Sequence, residues 1–114
     1  ISRAKVLTGD WKGLYEEVQA YREACGDAHM KAILATGELA TLSNVAKASW
    51  VCMMAGSDYI KTSTGKESVN ATLPFSLVMV LMGLSLIKAI WRDLQREKHG
   101  LPSTFTDVEA VPAE

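Results

Sequence analysis

Cysteine and histidine are scarce in this chain, and their scarcity narrows the chemistry open to it. The 114 residues include two cysteines and two histidines. Cys25 and Cys52 lie too far apart for a zinc site and are too few for the disulfide framework of a small secreted domain. His29 and His99 are isolated from other ligand types. We therefore expect no metal site and two buried, reduced thiols, as in a cytoplasmic protein.

An excess of either charge is also absent. Twelve basic and thirteen acidic residues give a net charge of −1 and are interspersed along the chain. Without a broad basic field the sequence carries no signature of nucleic-acid binding, so any phosphate must be held by local charges. Hydrophobic residues make up 48% of the chain, an ordinary globular composition, and 114 residues allow at most one domain.

Helix and strand patterns alternate through the first half of the chain. Apolar residues recur at helical spacing over residues 10–25, and a second helix is predicted over residues 41–55, capped by its threonine. Short apolar strands are predicted at residues 30–35 and 58–61, each followed by a polar loop. This order is the rhythm of βαβ units with a parallel sheet.

Two lysines occupy like points in the predicted strands. Lys31 and Lys61 are 30 residues apart, the length of one βα unit. Eight such units approach the roughly 250 residues of a (β/α)8 barrel, so the chain is long enough for about half of one. Strand parity allows both lysines to point inward, and the sheet edges of an isolated half would be exposed.

The most informative segment is Ile60-Lys61-Thr62-Ser63-Thr64-Gly65-Lys66, in which an apolar strand ends on a lysine. We expect neighbouring strands to bury Lys61, and a desolvated lysine amine attacks carbonyl carbons to form a Schiff base. The hydroxyl of Thr64, the open backbone at Gly65 and the charge of Lys66 indicate an adjoining phosphate pocket. A P-loop is excluded, because it needs glycine at position 60 and a hydroxyl residue at position 67.

With Val69-Asn70-Ala71-Thr72 downstream, this segment resembles the deoxyribose-phosphate aldolase family of class I aldolases. The resemblance extends upstream to the start of the chain and fades after about Leu81. It implies an eight-stranded (β/α) barrel, of which residues 1–98 would form roughly strands 4 to 6 with their helices. It also implies reversible cleavage of 2-deoxy-D-ribose 5-phosphate to acetaldehyde and D-glyceraldehyde 3-phosphate, without a cofactor.

The resemblance also implies roles for individual residues. Lys61 matches the Schiff-base lysine, and Gly65 and Lys66 match phosphate contacts, which Thr64 could support. Lys31 is expected not to contact the substrate but to place a second positive charge near Lys61. The partners are then small phosphorylated sugars and aldehydes. The family also uses an aspartate upstream of Ile1 and a lysine in a downstream Lys-Pro-Ala-Gly-Gly stretch, and neither is present, so we expect an internal fragment that is inactive alone.

A long apolar run at residues 73–87, extendable to residue 91, does not fit this picture. A bilayer-spanning helix needs about 20 apolar residues, so membrane insertion is not favoured, but a barrel helix should be more amphipathic. The alternative is a truncated or spliced, non-catalytic product whose apolar segment mediates association or membrane contact. Residues 99–114 are acidic and contain prolines, which predicts a disordered tail.

Overall fold

The structure, a computed structural model, describes residues 1–100 of the chain. Its elements are, in order, α1 (Arg3–Leu7), α2 (Trp11–Cys25), β1 (Lys31–Ile33), a 3-10 turn at Thr36–Glu38, α3 (Leu42–Met54), β2 (Tyr59–Lys61) and α4 (Leu73–Lys98). His99 closes α4, since its N–H donates to the carbonyls of Gln95 and Arg96. Of the segment predicted to be a disordered tail, residues 101–114 lie outside the described residues, and Gly100 N–H donates to the carbonyl of Glu97.

Side-chain caps fix where the predicted helices begin. Asp10 accepts a hydrogen bond of 3.0 Å from the N–H of Gly13 at the start of α2. Thr41 accepts one of 3.1 Å from the N–H of Asn44 at the start of α3. Both caps satisfy backbone donors that have no partner within the helix. The predictions for these two helices are therefore confirmed to within about a residue at each end.

Helix α1 was not predicted from the sequence. It has five residues, and the side chain of Ser2 accepts the N–H of Lys5 at its start. Only Val6 is buried, where it joins the core. Because α1 is only about one and a half turns long, it has a single buried apolar residue and no apolar repeat from which a helix could be predicted.

The two strands form a parallel sheet, which confirms the α/β class. Their register pairs Lys31 with Tyr59, Ala32 with Ile60 and Ile33 with Lys61. The sequence predicted roughly three strands of a barrel, whereas residues 1–100 contain two. After β2 the chain passes through a loop directly into α4.

One face of the sheet packs against the helices, and the other is open. The closed face carries Ala32 and Ile60, which contact a core built mainly from α2, α3 and the residues after β1. That core contains Leu14, Val18, Leu34, Leu39, Val45, Ala48, Val51 and Cys52, all fully buried. The open face carries the other strand residues, including both lysines, because side chains alternate along a strand.

Helix α4 packs along α3 through a narrow line of residues. Met79 and Leu86 are buried there, and Gly83 lies beside the sulfur of Met53. The rest of this 26-residue helix is largely exposed, although most of its residues are apolar. By length and composition alone α4 could cross a membrane, and 11% of its most apolar window is buried.

Candidate active site

The loops that follow β1 and β2 meet at one edge of the sheet, because parallel strands end on the same side. Pairing continues past the strands, with Leu34 N–H donating to Lys61 O and Thr36 N–H to Thr62 O, both at 2.9 Å. In α/β folds this carboxyl edge is where catalytic side chains collect. The chemistry-bearing motif predicted from the sequence therefore begins at the expected place.

A close backbone contact fixes the two loops to each other. A Cβ atom on Gly37 would lie 2.4 Å from the carbonyl oxygen of Val69 and 2.7 Å from its Cβ. Only glycine allows this approach without displacing one of the loops. The loop after β2 is thus held against the turn after β1 by packing, and its position does not depend on side-chain hydrogen bonds alone.

Lys61 lies at the end of β2, beside a cleft of about 430 Å³. The cleft runs along the free edge of β2 toward α4 and is also lined by Ile60, Thr62 and Ser76. The expectation that Lys61 is buried is wrong for residues 1–100, where its side chain is exposed. Strand parity placed it on the correct face, but in these residues nothing packs against that face.

Lys31 shares the open face with Lys61, as predicted. The register sets it beside Tyr59 and diagonally from Lys61. Its ammonium nitrogen lies 5.7 Å from the centroid of the Tyr59 ring, a cation–π contact. Lys31 is exposed like Lys61. The structure thus brings the two lysines to one face without desolvating either.

The loop after β2 already holds an anionic group. The carboxylate of Glu67 accepts the N–H of Thr64 at 3.0 Å, the hydroxyl of Thr64 at 3.0 Å and the N–H of Lys66 at 3.1 Å. Successive N–H groups converging on one anion form a nest, the backbone arrangement that also binds phosphates. Gly65, with φ of 90°, supplies the left-handed residue between the two donors.

Glu67 is held in its ionised form by this nest. Partial loss of water would raise its pKa, but hydrogen bonds from its own N–H, from Thr64 and from Lys66 outweigh that cost and lower the pKa. The sequence prediction named Thr64, Gly65 and Lys66 as anion contacts but missed Glu67. The spacing Thr-x-x-Glu, known from helix capping boxes, could have pointed to it.

The remaining polar residues of the motif stabilise the loop. Ser63 is buried, whereas Thr64 and Lys66, which donate to Glu67, are exposed. Asn70 donates to the carbonyl of Glu67 at 2.7 Å, and Thr72 accepts the N–H of Phe75 at the start of α4. Asn70-Ala71-Thr72 thus forms the turn that leads into α4.

A second carboxylate fixes the opposite end of the sheet. Asp58 accepts the N–H of Met30 at 2.7 Å and the guanidinium of Arg22 at 2.6 Å. The hydrogen bond from Met30 is the main cause that lowers the pKa of Asp58, and it outweighs partial desolvation, with help from Arg22. His29 lies nearby, 3.7 Å from the same carboxylate. Asp58 therefore joins α2, β1 and β2 at their amino edge.

Other polar and ionisable residues near the sheet stabilise the fold or lie in its core. Glu38, in the 3-10 turn after β1, forms an ion pair with Arg3 that ties this turn to α1. Cys52 is buried as predicted, and this burial raises its pKa to about 12, whereas Cys25 is only partly buried. Among residues 1–100, no group of histidine, cysteine, aspartate or glutamate side chains is arranged to hold a metal ion.

Comparison with known proteins gives a family match and several relatives. The model of the DeoC/LacD family aldolases matches residues 2–79. The chain is 65% identical over 80 residues to human deoxyribose-phosphate aldolase and 66% identical over 80 residues to that of Mus musculus. Each alignment covers 70% of this chain and 25% of the relative. The chain thus spans about a quarter of the length of these relatives. No solved structure matches it.

A nematode relative modifies the expectation that the resemblance ends near Leu81. The chain is 58% identical over 100 residues to a putative deoxyribose-phosphate aldolase of Caenorhabditis elegans, covering 88% of this chain and 31% of that protein. An alignment of this length must continue well beyond Leu81. The family match ends at residue 79 and the mammalian alignments are 80 residues long, so relatives differ in most of α4 beyond its first two turns.

Proposed function

This chain belongs to the DeoC/LacD aldolase family, and we propose that it carries the Schiff-base lysine of a deoxyribose-phosphate aldolase. The reaction is the reversible cleavage of 2-deoxy-D-ribose 5-phosphate into acetaldehyde and D-glyceraldehyde 3-phosphate. The observation that carries the proposal is the position of Lys61 at the carboxyl edge of the sheet, directly before a loop that binds an anion. The proposed setting is the cytoplasm, with small phosphorylated sugars as partners.

The proposed chemistry begins at the Nζ atom of Lys61. This amine adds to the aldehyde carbon of the open-chain sugar, and loss of water leaves an imine. The bond between C2 and C3 then breaks, its electron pair passing into the imine to give an enamine, while the C3 hydroxyl loses its proton and becomes the aldehyde of the three-carbon phosphate. Protonation of the enamine and hydrolysis release acetaldehyde and restore the lysine.

The two strands are proposed to be adjacent members of a barrel, within roughly strands 4 to 6. Both free edges of the sheet are bordered by clefts, one of about 430 Å³ beside β2 and one of about 410 Å³ beside β1. Further strands of a longer chain would pair at these edges, as closure of a barrel requires. The open face with Lys31 and Lys61 would then line the barrel interior, where a lysine is shielded from water.

The phosphate is proposed to bind where Glu67 now lies. The Glu67 carboxylate stands in for an anionic oxygen group, held by two N–H groups and a hydroxyl. The exposed ammonium of Lys66 adds a positive charge at the same loop. Charge-assisted hydrogen bonds of this kind are the strong ones in phosphate recognition. Lys31 is proposed to support Lys61 electrostatically from the same face of the sheet.

Reductive trapping on the 114-residue chain tests this proposal. The chain is treated with cyanoborohydride and either 2-deoxyribose 5-phosphate or 2-deoxyribose, and each lysine is mapped by peptide mass spectrometry. We expect Lys61 to be modified faster by the phosphorylated sugar, whereas the exposed Lys12 shows no preference. Lys66→Ala should reduce that preference about tenfold or more, since a charge-assisted contact contributes about 1.5–3 kcal/mol.

Two control variants test whether the phosphate-dependent adduct forms on Lys61 itself. Lys61→Met should remove the phosphate-dependent adduct, and Lys12→Ala should leave it unchanged. Equal modification of Lys12, Lys31 and Lys61, with no effect of phosphate, would contradict the assignment. The chain alone is expected not to cleave the sugar phosphate at an appreciable rate, because acid–base groups typically contribute about 10²–10⁴ in rate and the family's partners for Lys61 are not among these residues.

A second candidate function is a non-catalytic product of the same family. It is favoured by the apolar outer surface of α4, where Leu77, Leu84 and Ile87 are each more than half exposed. Such a product would retain the fold of the first 79 residues and use α4 for association. Under this alternative the trapping experiment gives no phosphate preference at Lys61, while the chain still folds.

A further inference from the structure

The outer surface of α4 carries a regular line of exposed apolar side chains. Each member exposes between 53% and 80% of its surface: Leu73, Leu77, Val80, Leu84, Ile87, Trp91 and Leu94. We call this line the α4 seam. Successive members are separated by four, three, four, three, four and three residues. This alternation is the heptad repeat, with a period of 3.5 residues, that lets two helices stay in contact over their length.

The seam is separate from the surface that packs on α3. At about 100° per residue, it lies roughly a third of a turn from the line of Met79 and Leu86. The fold of this chain therefore uses one side of α4 and leaves the seam free among the described residues. A helix that served only to cover α3 would not need a second apolar line in heptad register.

The seam continues beyond the most apolar part of α4. Lys88 and Arg92 interrupt the apolar composition of α4, and both are exposed. The seam passes them and reaches Trp91 and Leu94, in the charged last third of the helix. Insertion into a bilayer would also separate α4 from α3 and expose the buried residues Met79 and Leu86. A protein surface with the same periodicity is the better match.

The area of the seam fits an interface with one more helix. Seven side chains that each expose about 100 Å² of apolar surface would bury roughly 700 Å² per chain. Stable interfaces of standard size bury about 800 Å² per partner. The same seam on another copy supplies the matching surface, since heptad seams are self-complementary about a two-fold axis.

We propose that the α4 seam joins two copies of this chain in a two-stranded coiled coil. The core seam positions at its centre are Val80, Leu84 and Ile87, all aliphatic residues of the kind that pack as knobs into holes. Val80 also lines the cleft beside Lys61, whereas Leu84 and Ile87 lie about one and two turns farther along α4. The proposal rests on the spacing and exposure of the seam and not on the aldolase chemistry.

Sedimentation of the 114-residue chain tests the proposal. We expect a dimer at chain concentrations of about 100 µM, where a micromolar dissociation constant is saturated. Leu84→Glu should weaken the dimer at least tenfold, because two carboxylates would be buried without partners. Ser85→Glu is the matched control: it is also exposed on α4 but faces away from the seam, and should leave the dimer intact. Circular dichroism checks that each variant keeps its helices.

Charge complementation identifies the second copy as the partner. Leu84→Lys alone should also be monomeric, and mixing it with the Leu84→Glu chain should restore a dimer that contains one of each. A wild-type chain that remains monomeric, or whose association survives Leu84→Glu, overturns the proposal. So does a chain that floats with phosphatidylcholine vesicles in preference to dimerising, which would assign the seam to a membrane.

Discussion

Helices α3 and α4 lie side by side and are both apolar, yet they contribute to the molecule in opposite ways. In α3 the apolar residues Val45, Ala48 and Val51 are fully buried between the sheet and the other helices. In α4 the apolar residues Val80 and Leu84 are more than half exposed. Apolar composition therefore does not decide which helix belongs to the core. The decision depends on how many elements surround each helix.

The largest expected effect comes from the same substitution placed in both helices. Val51→Ala should destabilise the chain by about 2–3 kcal/mol, because it removes buried methyl groups and leaves a cavity. Val80→Ala should change the stability of the dilute, monomeric chain by less than about 0.5 kcal/mol, since the site is exposed and alanine favours a helix. Urea denaturation followed by circular dichroism measures both. Equal losses would show that α4 shares the core of α3.

A second pair of substitutions compares the close contact between the two loops after the strands with the open surroundings of a glycine in α4. Gly37→Ala should cost about 1–3 kcal/mol, since its Cβ would collide with Val69 and push the two loops apart. Gly83→Ala should stabilise α4 by up to about 1 kcal/mol, because its Cβ would have only the sulfur of Met53 at 3.9 Å. Thermal unfolding of both variants gives the measurement. A neutral Gly37→Ala would mean that the loops are not fixed to each other.

The smallest expected effect concerns the acid dependence of stability. The pKa of Asp58 is lowered in the folded chain, so its contribution is present above the pKa of an unfolded aspartate, about 3.9. That contribution is lost as the pH falls through the lower folded pKa. Asp58→Asn should therefore lower the melting temperature at pH 7 and flatten its fall in acid. Glu97→Gln, an exposed change on α4, is the control and should do neither.

The sequence predicted α2, α3 and the positions of both strands because each has a local signal. Asp10 and Thr41 are cap residues placed directly before apolar repeats, and the strands end at polar loops. The number of strands and the exposure of Lys61 have no such signal. Both depend on what lies across the sheet, and side-chain alternation gives the face of a residue without giving its depth.

The candidate site was predicted in part for a related reason. The motif from Lys61 to Lys66 was located correctly at the carboxyl edge of the sheet, because strand order fixes that edge. The contacts of Glu67 with Thr64 and Lys66 were not predicted, because the Thr-x-x-Glu spacing is typical of a helix start and here it lies in a loop. The contact of Gly37 with Val69 joins two loops distant in sequence, which no local pattern describes.

In the proposed phosphate site, the carboxylate of Glu67 is the ligand that a bound phosphate would replace. An incoming phosphate must displace a ligand that is tethered to the same loop, and tethering gives that ligand a high effective concentration. The apparent free energy of phosphate binding is thus the difference between the free energies with which the loop binds the phosphate and the Glu67 carboxylate. In return, the backbone donors of Thr64 and Lys66 stay paired in the absence of substrate, so the loop keeps its shape between encounters.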